Sequence, residues 1–539
     1  MEYDEVLEHV GPYGRHQMLA WFLVTVLSNW PFAWQTFSMN FLGYEPEHRC
    51  RIPFGDFNDT SVGDAGNYSF SSIGKCSLFA NDTAGNNYTT GCEYGWWYSH
   101  NPVTNSIVTQ WDLVCDKNFL AETAQAIFSF GILLGDLLFG FLADRYGRRK
   151  IFFGTLAGTA VVGSVAMFSP NVYIFLVFRF FLGTLTVGFW LTGYLLILEI
   201  FPPKQRTYFG ILAAFGWNSG ALTMALFGYL IRDWKTLQLV ISLPALAGVL
   251  VWWFVPESVR WLLARGRQGE AQQLVYNMVK FNNKKLPEDF QLCVPISKKD
   301  RSAGDDSNNE EKTYTTLDLF RTPKIRLRII CCTILWIVNT LVYYGISFSA
   351  PSINGDFYLN FFLLMVIEVP AVMLALLLAW RIGRRMPLIV SGMLAGIACI
   401  VTPFIPTDTA AGLWSARILP ALGKFWMNSS FTILVLYTTE LFPTVLRSNA
   451  GGFSSLAGRL GGIAFPYINY LGKLDIGQVA KKLPFILYGV LAILGSLAAF
   501  PLPETKDAKL LEHVEDLEGS CTVEKHHGTR YGANETSKM

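Results

Sequence analysis

The stretch Gly140-Phe-Leu-Ala-Asp144-Arg145-Tyr-Gly147-Arg148-Arg149-Lys150 sets one acid and four cations in a turn between two long apolar runs. A soluble domain does not wrap a basic turn so closely in hydrocarbon. A bilayer accommodates it as a hairpin of two spanning helices, and a turn rich in Arg and Lys belongs on the cytoplasmic side. With that turn inside, the side of every other loop follows by counting.

The turn also recurs. Gly147 with Arg148 and Arg149 returns 236 residues on as Gly383 with Arg384 and Arg385, again between apolar runs. Glu199-Ile-Phe-Pro202 with Arg206 returns after 241 residues as Glu440-Leu-Phe-Pro443 with Arg447. Pro256-Glu257-Ser258 returns after 247 as Pro503-Glu504-Thr505. Three echoes in one order at nearly one offset predict two parallel halves, an architecture of transporters that puts the substrate site near the midplane between them.

Composition agrees with a membrane chain. Of 539 residues, 51% are hydrophobic and only 16% charged, more apolar than a soluble core could conceal. The net charge of +2 carries no nucleic-acid signal, because the cations sit at the ends of apolar runs. Twelve such runs predict an all-α membrane protein of twelve spanning helices in two pseudo-symmetric halves. The expected divisions are the amino terminus and first span over 1–43, a large extracellular loop over 44–120, the rest of the first six-helix half over 121–255, a cytoplasmic linker with short helices over 256–326, the second half over 327–501 and a cytoplasmic tail over 502–539. One of the twelve runs is placed near 357–380. Residues 1–20 lack a basic start followed by an apolar core, so no cleaved leader is expected and the first span directs its own insertion. Both termini are therefore expected in the cytoplasm.

The loop after the first span holds Cys50, Cys76, Cys92 and Cys115, with glycosylation sequons at Asn58, Asn67, Asn81 and Asn87. An even cysteine count among clustered sequons predicts a disulfide-bonded, glycosylated outer loop. Four cysteines allow three pairings, and the sequence does not choose among them. Nothing resembles a nucleotide-binding loop, a metal-ligand cluster or a catalytic triad. The expectation is a transporter without cofactor or metal, not an enzyme.

Asp144 beside Arg148 and Arg149 reads as a salt-bridge cluster at a helix end, or as a latch whose acids and guanidiniums pair in one conformation and part in another. Recurrence favours the latch. It assigns Asp144, Arg148, Arg149, Glu199, Arg206, Arg384, Arg385, Glu440 and Arg447 to a cytoplasmic gate. Charges inside spans are costly and mark function, and here they are Asp136, Arg179, Glu368, Lys424 and Arg459. Asp136 has two readings, a pair with an Arg and a substrate contact. Arg179 and Lys424 occupy matching places in the halves and read as structural partners. Glu368 and Arg459 read either as a mutual ion pair or as cavity-lining groups. Trp190 and Tyr194, at i and i+4 on a Gly-rich run, form an aromatic face suited to an organic cation. Trp217, Tyr343, Tyr344 and Phe425 are further aromatic candidates.

Several stretches together resemble the major facilitator superfamily and, within it, solute carrier family 22. They are Pro46-Glu-His-Arg-Cys50, Thr109-Gln-Trp-Asp-Leu-Val-Cys115-Asp116, Pro256-Glu-Ser-Val-Arg-Trp-Leu262, Leu317-Asp-Leu-Phe-Arg321, Glu368-Val-Pro370 and Tyr437-Thr-Thr-Glu440-Leu-Phe-Pro443-Thr. The resemblance implies a polyspecific, multi-pass plasma-membrane carrier of organic cations, anions or zwitterions such as carnitine. It also implies roles for particular positions. Arg459 stands where cation carriers of the family have Asp and anion and carnitine carriers have Arg. Met365 stands where anion carriers place Lys, and Trp190 with Tyr194 matches the cation branch. The Asn of sodium-coupled carnitine carriers falls at Phe32, with Asn29 one turn away, so the coupling ion, sodium or proton, stays open. One cation, one acid and an aromatic face suit a zwitterion. An organic cation is the second expectation, an organic anion the third, and a receptor or scaffold that has lost transport the alternative from another class.

Overall fold

The computed structural model describes residues 3–10, 13–51, 64–65, 68–73, 75–82, 87–285, 290, 292, 315–474 and 477–508. The sequons at Asn58 and Asn67, the thiols Cys293 and Cys521, and the charged stretch from Lys298 to Lys312 lie outside these residues.

After α1 (Tyr3–Val10) and α2 (Arg15–Phe37), a short α3 (Met39–Leu42) leads into a lobe of strands: β1 (His48–Cys50), β2 (Asp64–Ala65), β3 (Tyr68–Ile73), β4 (Leu78–Asp82), β5 (Asn87–Thr90) and β6 (Trp96–Tyr98). β2 to β5 form an antiparallel meander, in which Asn81 and Asn87 are register partners, and β1 pairs with β6. Disulfides join Cys50 to Cys92 and Cys76 to Cys115, which selects one of the three pairings open to the sequence. The second bond ties the lobe to the segment that enters the bundle. His48 lies near both sulfurs of that bond, but a disulfide is no metal ligand.

Next come α4 (Ile107–Trp111), α5 (Phe119–Tyr146), α6 (Arg148–Ala166), α7 (Val172–Ile200), α8 (Pro203–Leu230) and α9 (Trp234–Gly248), which continues as a 3-10 turn to Phe254. Linker helices α10 (Val259–Ala264) and α11 (Gln268–Phe281) follow. The second half contains α12 (Pro323–Ser347), α13 (Phe357–Val366), α14 (Glu368–Arg381), α15 (Arg385–Val401), α16 (Ala410–Leu441), α17 (Thr444–Leu471) and α18 (Gln478–Leu497). Among the described residues, eight helical segments are long and apolar enough to cross a membrane. The other long helices, α2, α6, α16 and α17, are less apolar. On α2, α16 and α17 the polar residues point inward: Ser28, Asn29 and Gln35, Lys424 and Asn428, and Ser454 are all buried.

The run over 357–380 forms one apolar span, Phe357–Arg381, with a local interruption at Ile367. α13 stops at Val366 and α14 starts at Glu368, because Pro370 has no N–H to return to the carbonyl one turn earlier. The interruption puts Glu368 at the start of α14.

α5 and α7 pack backbone to backbone. A Cβ on Gly131 would lie 2.3 Å from the Phe180 carbonyl oxygen, and one on Gly183 would lie 2.1 Å from that of Phe128. Within the halves, α2 lies on α7 and α8, and α12 on α16, α17 and α18. Between them, α5 meets α17 and α8 meets α13, two seams related by the repeat.

At the end bearing the strand lobe the halves are joined. Phe37 of α2 and Phe41 of α3 pack on Phe348, Phe357 and Phe361 of the second half, with ring centroids 5.0–6.1 Å apart. Lys473, just beyond α17, reaches Glu122 at 3.0 Å and Glu45 at 3.2 Å. Burial alone would lower its pKa, but these two acids outweigh that and raise it.

At the opposite, basic end the repeat holds in the turn itself. Gly147 (φ +104°) and Gly383 (φ +129°) turn the chain in a region that only glycine enters freely, and a Cβ at either would collide with Glu257 or Glu504. Those acids cap the next helix: Glu257 accepts the Arg149 amide at 3.0 Å, and Glu504 accepts those of Arg384 and Arg385 at 2.9 and 3.0 Å. Burial pushes the Glu504 carboxyl up, and four backbone amides more than offset it, holding the group below its ordinary range. Arg149 donates to the Trp252 carbonyl at 2.6 Å, and Arg385 to that of Phe500.

Candidate functional site

Between the halves lies a small cleft lined by Thr36 of α2, Gln125, Ser129 and Ile132 of α5, Thr340 and Tyr344 of α12, and Arg459, Gly462 and Phe465 of α17. Hydroxyls, an amide and one guanidinium face an apolar remainder, the composition of a site for a small polar solute.

Arg459 does not pair with Glu368. Its Nε donates to Asp136 Oδ2 at 2.9 Å across the α5–α17 seam, and its guanidinium carbon lies 5.9 Å from the Trp190 ring. Both side chains stay partly open, Asp136 at 18% and Arg459 at 16% exposure. Trp190 stacks on Tyr194 (6.4 Å, 12°) and on Phe32 (5.2 Å, 23°), so α2 and α7 together supply an aromatic wall.

Glu368 pairs instead with Lys424 of α16, Nζ to Oε1 at 2.7 Å, and both are sealed, at 1% and 0% exposure. The Tyr343 hydroxyl donates to the same carboxylate oxygen at 2.8 Å, and Trp217 Nε1 of the first half donates to that hydroxyl at 3.2 Å. This chain of bonds makes a second polar link between halves. The matching cation of the first half, Arg179, is fully buried and, among the described residues, has no acid partner: it donates to Gln125 Oε1 (3.1 Å) and Ser38 Oγ (3.2 Å) and lies over the Phe128 ring at 4.2 Å. Matching places on α7 and α16 thus hold cations of different partnership.

Of the aromatic candidates, Tyr344 lines the pocket, Trp217 and Tyr343 belong to the sealed chain, and Phe425 packs edge-on to Trp426 away from the lining. The lining residues Thr36, Gln125, Ser129 and Thr340 were not singled out from sequence. The signal was present, since Gln125 and Ser129, like Thr340 and Tyr344, stand one helical turn apart in otherwise apolar runs.

The gate residues pair within their own halves. Arg148 contacts Asp144 and Glu199, each at 3.3 Å, while Arg384 meets Glu440 at 2.9 Å and Thr505 also donates to Glu440. None of these ion pairs reaches across to the other half. Trp380 stands where Asp144 would repeat. Arg206 donates to the Phe201 carbonyl and to Asp4 of α1, which also binds Arg260, whereas Arg447 donates to Thr444 Oγ1 at 3.4 Å. Asp4 was not foreseen, because nothing local to α1 points to partners some two hundred residues away.

Residues 71–517 match the family described as Sugar (and other) transporter. The mouse protein named Solute carrier family 22 member 21 is 32% identical over 540 residues, covering 96% of this chain and 93% of its own. The Drosophila melanogaster protein named Beta-alanine transporter is 31% identical over 96% of this chain and 89% of its own. The human Organic cation/carnitine transporter 2 is 32% identical over 96% and 94%. Among solved structures, the D-xylose-proton symporter superposes with a TM-score of 0.61 at 17% identity, covering 92% of this chain and all of that one, and so shares the fold. The chain belongs to the sugar (and other) transporter family of the major facilitator superfamily and, within it, to solute carrier family 22: it is a multi-pass membrane transporter of small organic substrates, not an enzyme.

Proposed function

We propose that this protein carries small organic zwitterions across the plasma membrane by alternating access. The observation that carries the reading is the charge balance at the pocket: one cation, Arg459, and one acid, Asp136, both partly open, beside the stacked Trp190 and Tyr194. A carboxylate suits the planar guanidinium, and an ammonium suits the aromatic wall. The names of the relatives, β-alanine and carnitine among them, support the same class.

In this reading twelve helices span the bilayer, with α13 and α14 together making one span. The basic turns and both termini are cytoplasmic, and the strand lobe is extracellular and glycosylated. The structure, joined at the lobe end and with its gate charges paired within halves at the other, then corresponds to a state shut on the outside with its cytoplasmic gate unlatched. The Asp144 and Arg384 clusters would exchange partners across the halves when that gate closes. A simple organic cation is the second reading, supported by the aromatic wall and by relatives named for organic cations.

The test is competitive uptake of carnitine, tetraethylammonium and para-aminohippurate into cells expressing the chain, with and without sodium. Preference for carnitine supports the proposal, and sodium dependence would name the coupling ion. Uptake confined to para-aminohippurate would overturn it. A glycosidase-induced gel shift tests the sidedness of the lobe.

A further inference from the structure

The Asp136–Arg459 bond occupies a particular place along the pocket. α5 runs from the lobe end to the basic end, and Asp136 follows the lining residues Gln125, Ser129 and Ile132 by one more turn. α17 runs the opposite way, and Arg459 precedes Gly462 and Phe465. The ion pair therefore lies on the basic-end side of the pocket and ties the two halves together there.

The bond uses only part of what each group offers. Arg459 gives Nε to Asp136, and among the described residues its two terminal nitrogens have no hydrogen-bond partner. The second carboxylate oxygen of Asp136 is likewise without one. A guanidinium with its parallel N–H groups free beside a pocket is the donor that a carboxylate takes up bidentately.

We infer that the substrate exchanges with this ion pair: its carboxylate takes Arg459, its ammonium takes Asp136, and the bond between the halves is replaced by a bridge through the substrate. This rests on the zwitterionic reading above and moves the cationic end from the aromatic wall alone to Asp136, with Trp190 flanking. The arithmetic of charge makes the exchange selective. A lone cation that takes Asp136 strands the Arg459 guanidinium in a low-dielectric site, and a lone anion that takes Arg459 strands the Asp136 carboxylate. Only a molecule carrying both charges opens the tie and leaves neither partner alone. The same step couples occupancy to conformation, because the contact exchanged is one between the moving halves.

The experiment measures uptake of β-alanine, para-aminohippurate and tetraethylammonium by the full chain and two variants, normalised to surface protein. Asp136→Asn should raise the KM for β-alanine about ten- to a hundredfold, the loss of one charge-assisted contact, and shift preference toward para-aminohippurate. The double variant Asp136→Asn/Arg459→Gln leaves no uncompensated charge, so it also reports if the single variant fails to reach the surface. It should lose β-alanine preference to a similar degree. A double variant with the parent's KM for β-alanine would make the pair a structural tie only and overturn the inference, as would an unchanged preference in Asp136→Asn. A parent that takes up para-aminohippurate or tetraethylammonium but not β-alanine removes the zwitterionic reading itself, and the parent measurement alone reveals that.

Discussion

Two of the ion pairs of this bundle, Lys424–Glu368 and Arg459–Asp136, differ in what can reach them. Lys424 and Glu368 are sealed within the second half, with the Tyr343 hydroxyl bonded to the same carboxylate oxygen. Arg459 and Asp136 lie on opposite halves, partly open beside a polar pocket, with donor capacity left over. Buried pairs give little net stability but become expensive when one partner is removed, because the other is left charged in a medium that cannot solvate it. The sealed pair is thus fitted to hold shape and the open pair to be exchanged.

The largest expected effect breaks the sealed pair. Lys424→Met should lower stability by about 3–5 kcal/mol, seen as lost surface expression and an earlier melting transition, and adding Glu368→Gln should recover most of it. A stable, fully expressed Lys424→Met would mean that the pair is not sealed in the working protein.

Next comes the sign of the open pair. Arg459→Asp sets two acids side by side across the seam, so carnitine uptake should disappear and tetraethylammonium uptake should appear. Arg459→Lys, which keeps the charge but not the parallel donors, should weaken carnitine strongly. Identical rank order of substrates in parent and Arg459→Asp would show that this pair does not read charge.

A smaller change is expected at the wall. Trp190→Ala removes a cation–π contact worth about 0.5–2 kcal/mol, a two- to thirtyfold loss in affinity, without touching either ion pair. Smallest in energy is Asp144→Ala, where the acid is solvent-exposed and its bond to Arg148 is worth about 0–1 kcal/mol. Affinity should not move, but turnover should fall. Unchanged turnover would reduce Asp144 to a surface contact.

The contrast between the pairs also marks what the sequence could convey. The basic turn and its echo were legible because glycine, acid and arginine are needed at fixed spacing to turn a helix end, and Gly147 and Gly383 do so with Glu257 and Glu504 behind them. Local chemistry carries such features. The break at Ile367 was hidden, since hydropathy runs on through it and only Pro370 hints at a missing bond. Asp136 and Arg459 were each visible as charges in apolar runs, yet their partnership spans 323 residues and no local rule records it. The pairing of Arg459 with Glu368 was an equally good guess until the seams of the two halves fixed which helices face each other. The cysteine pairing was open for the same reason.

Equilibrium binding to the purified protein tests the central claim most directly, because it is independent of any driving ion. Calorimetric titration with carnitine, tetraethylammonium and para-aminohippurate should give carnitine the tightest site, at least about tenfold ahead of either singly charged compound, the margin of one charge-assisted contact. Tighter binding of tetraethylammonium or para-aminohippurate than of carnitine would contradict it.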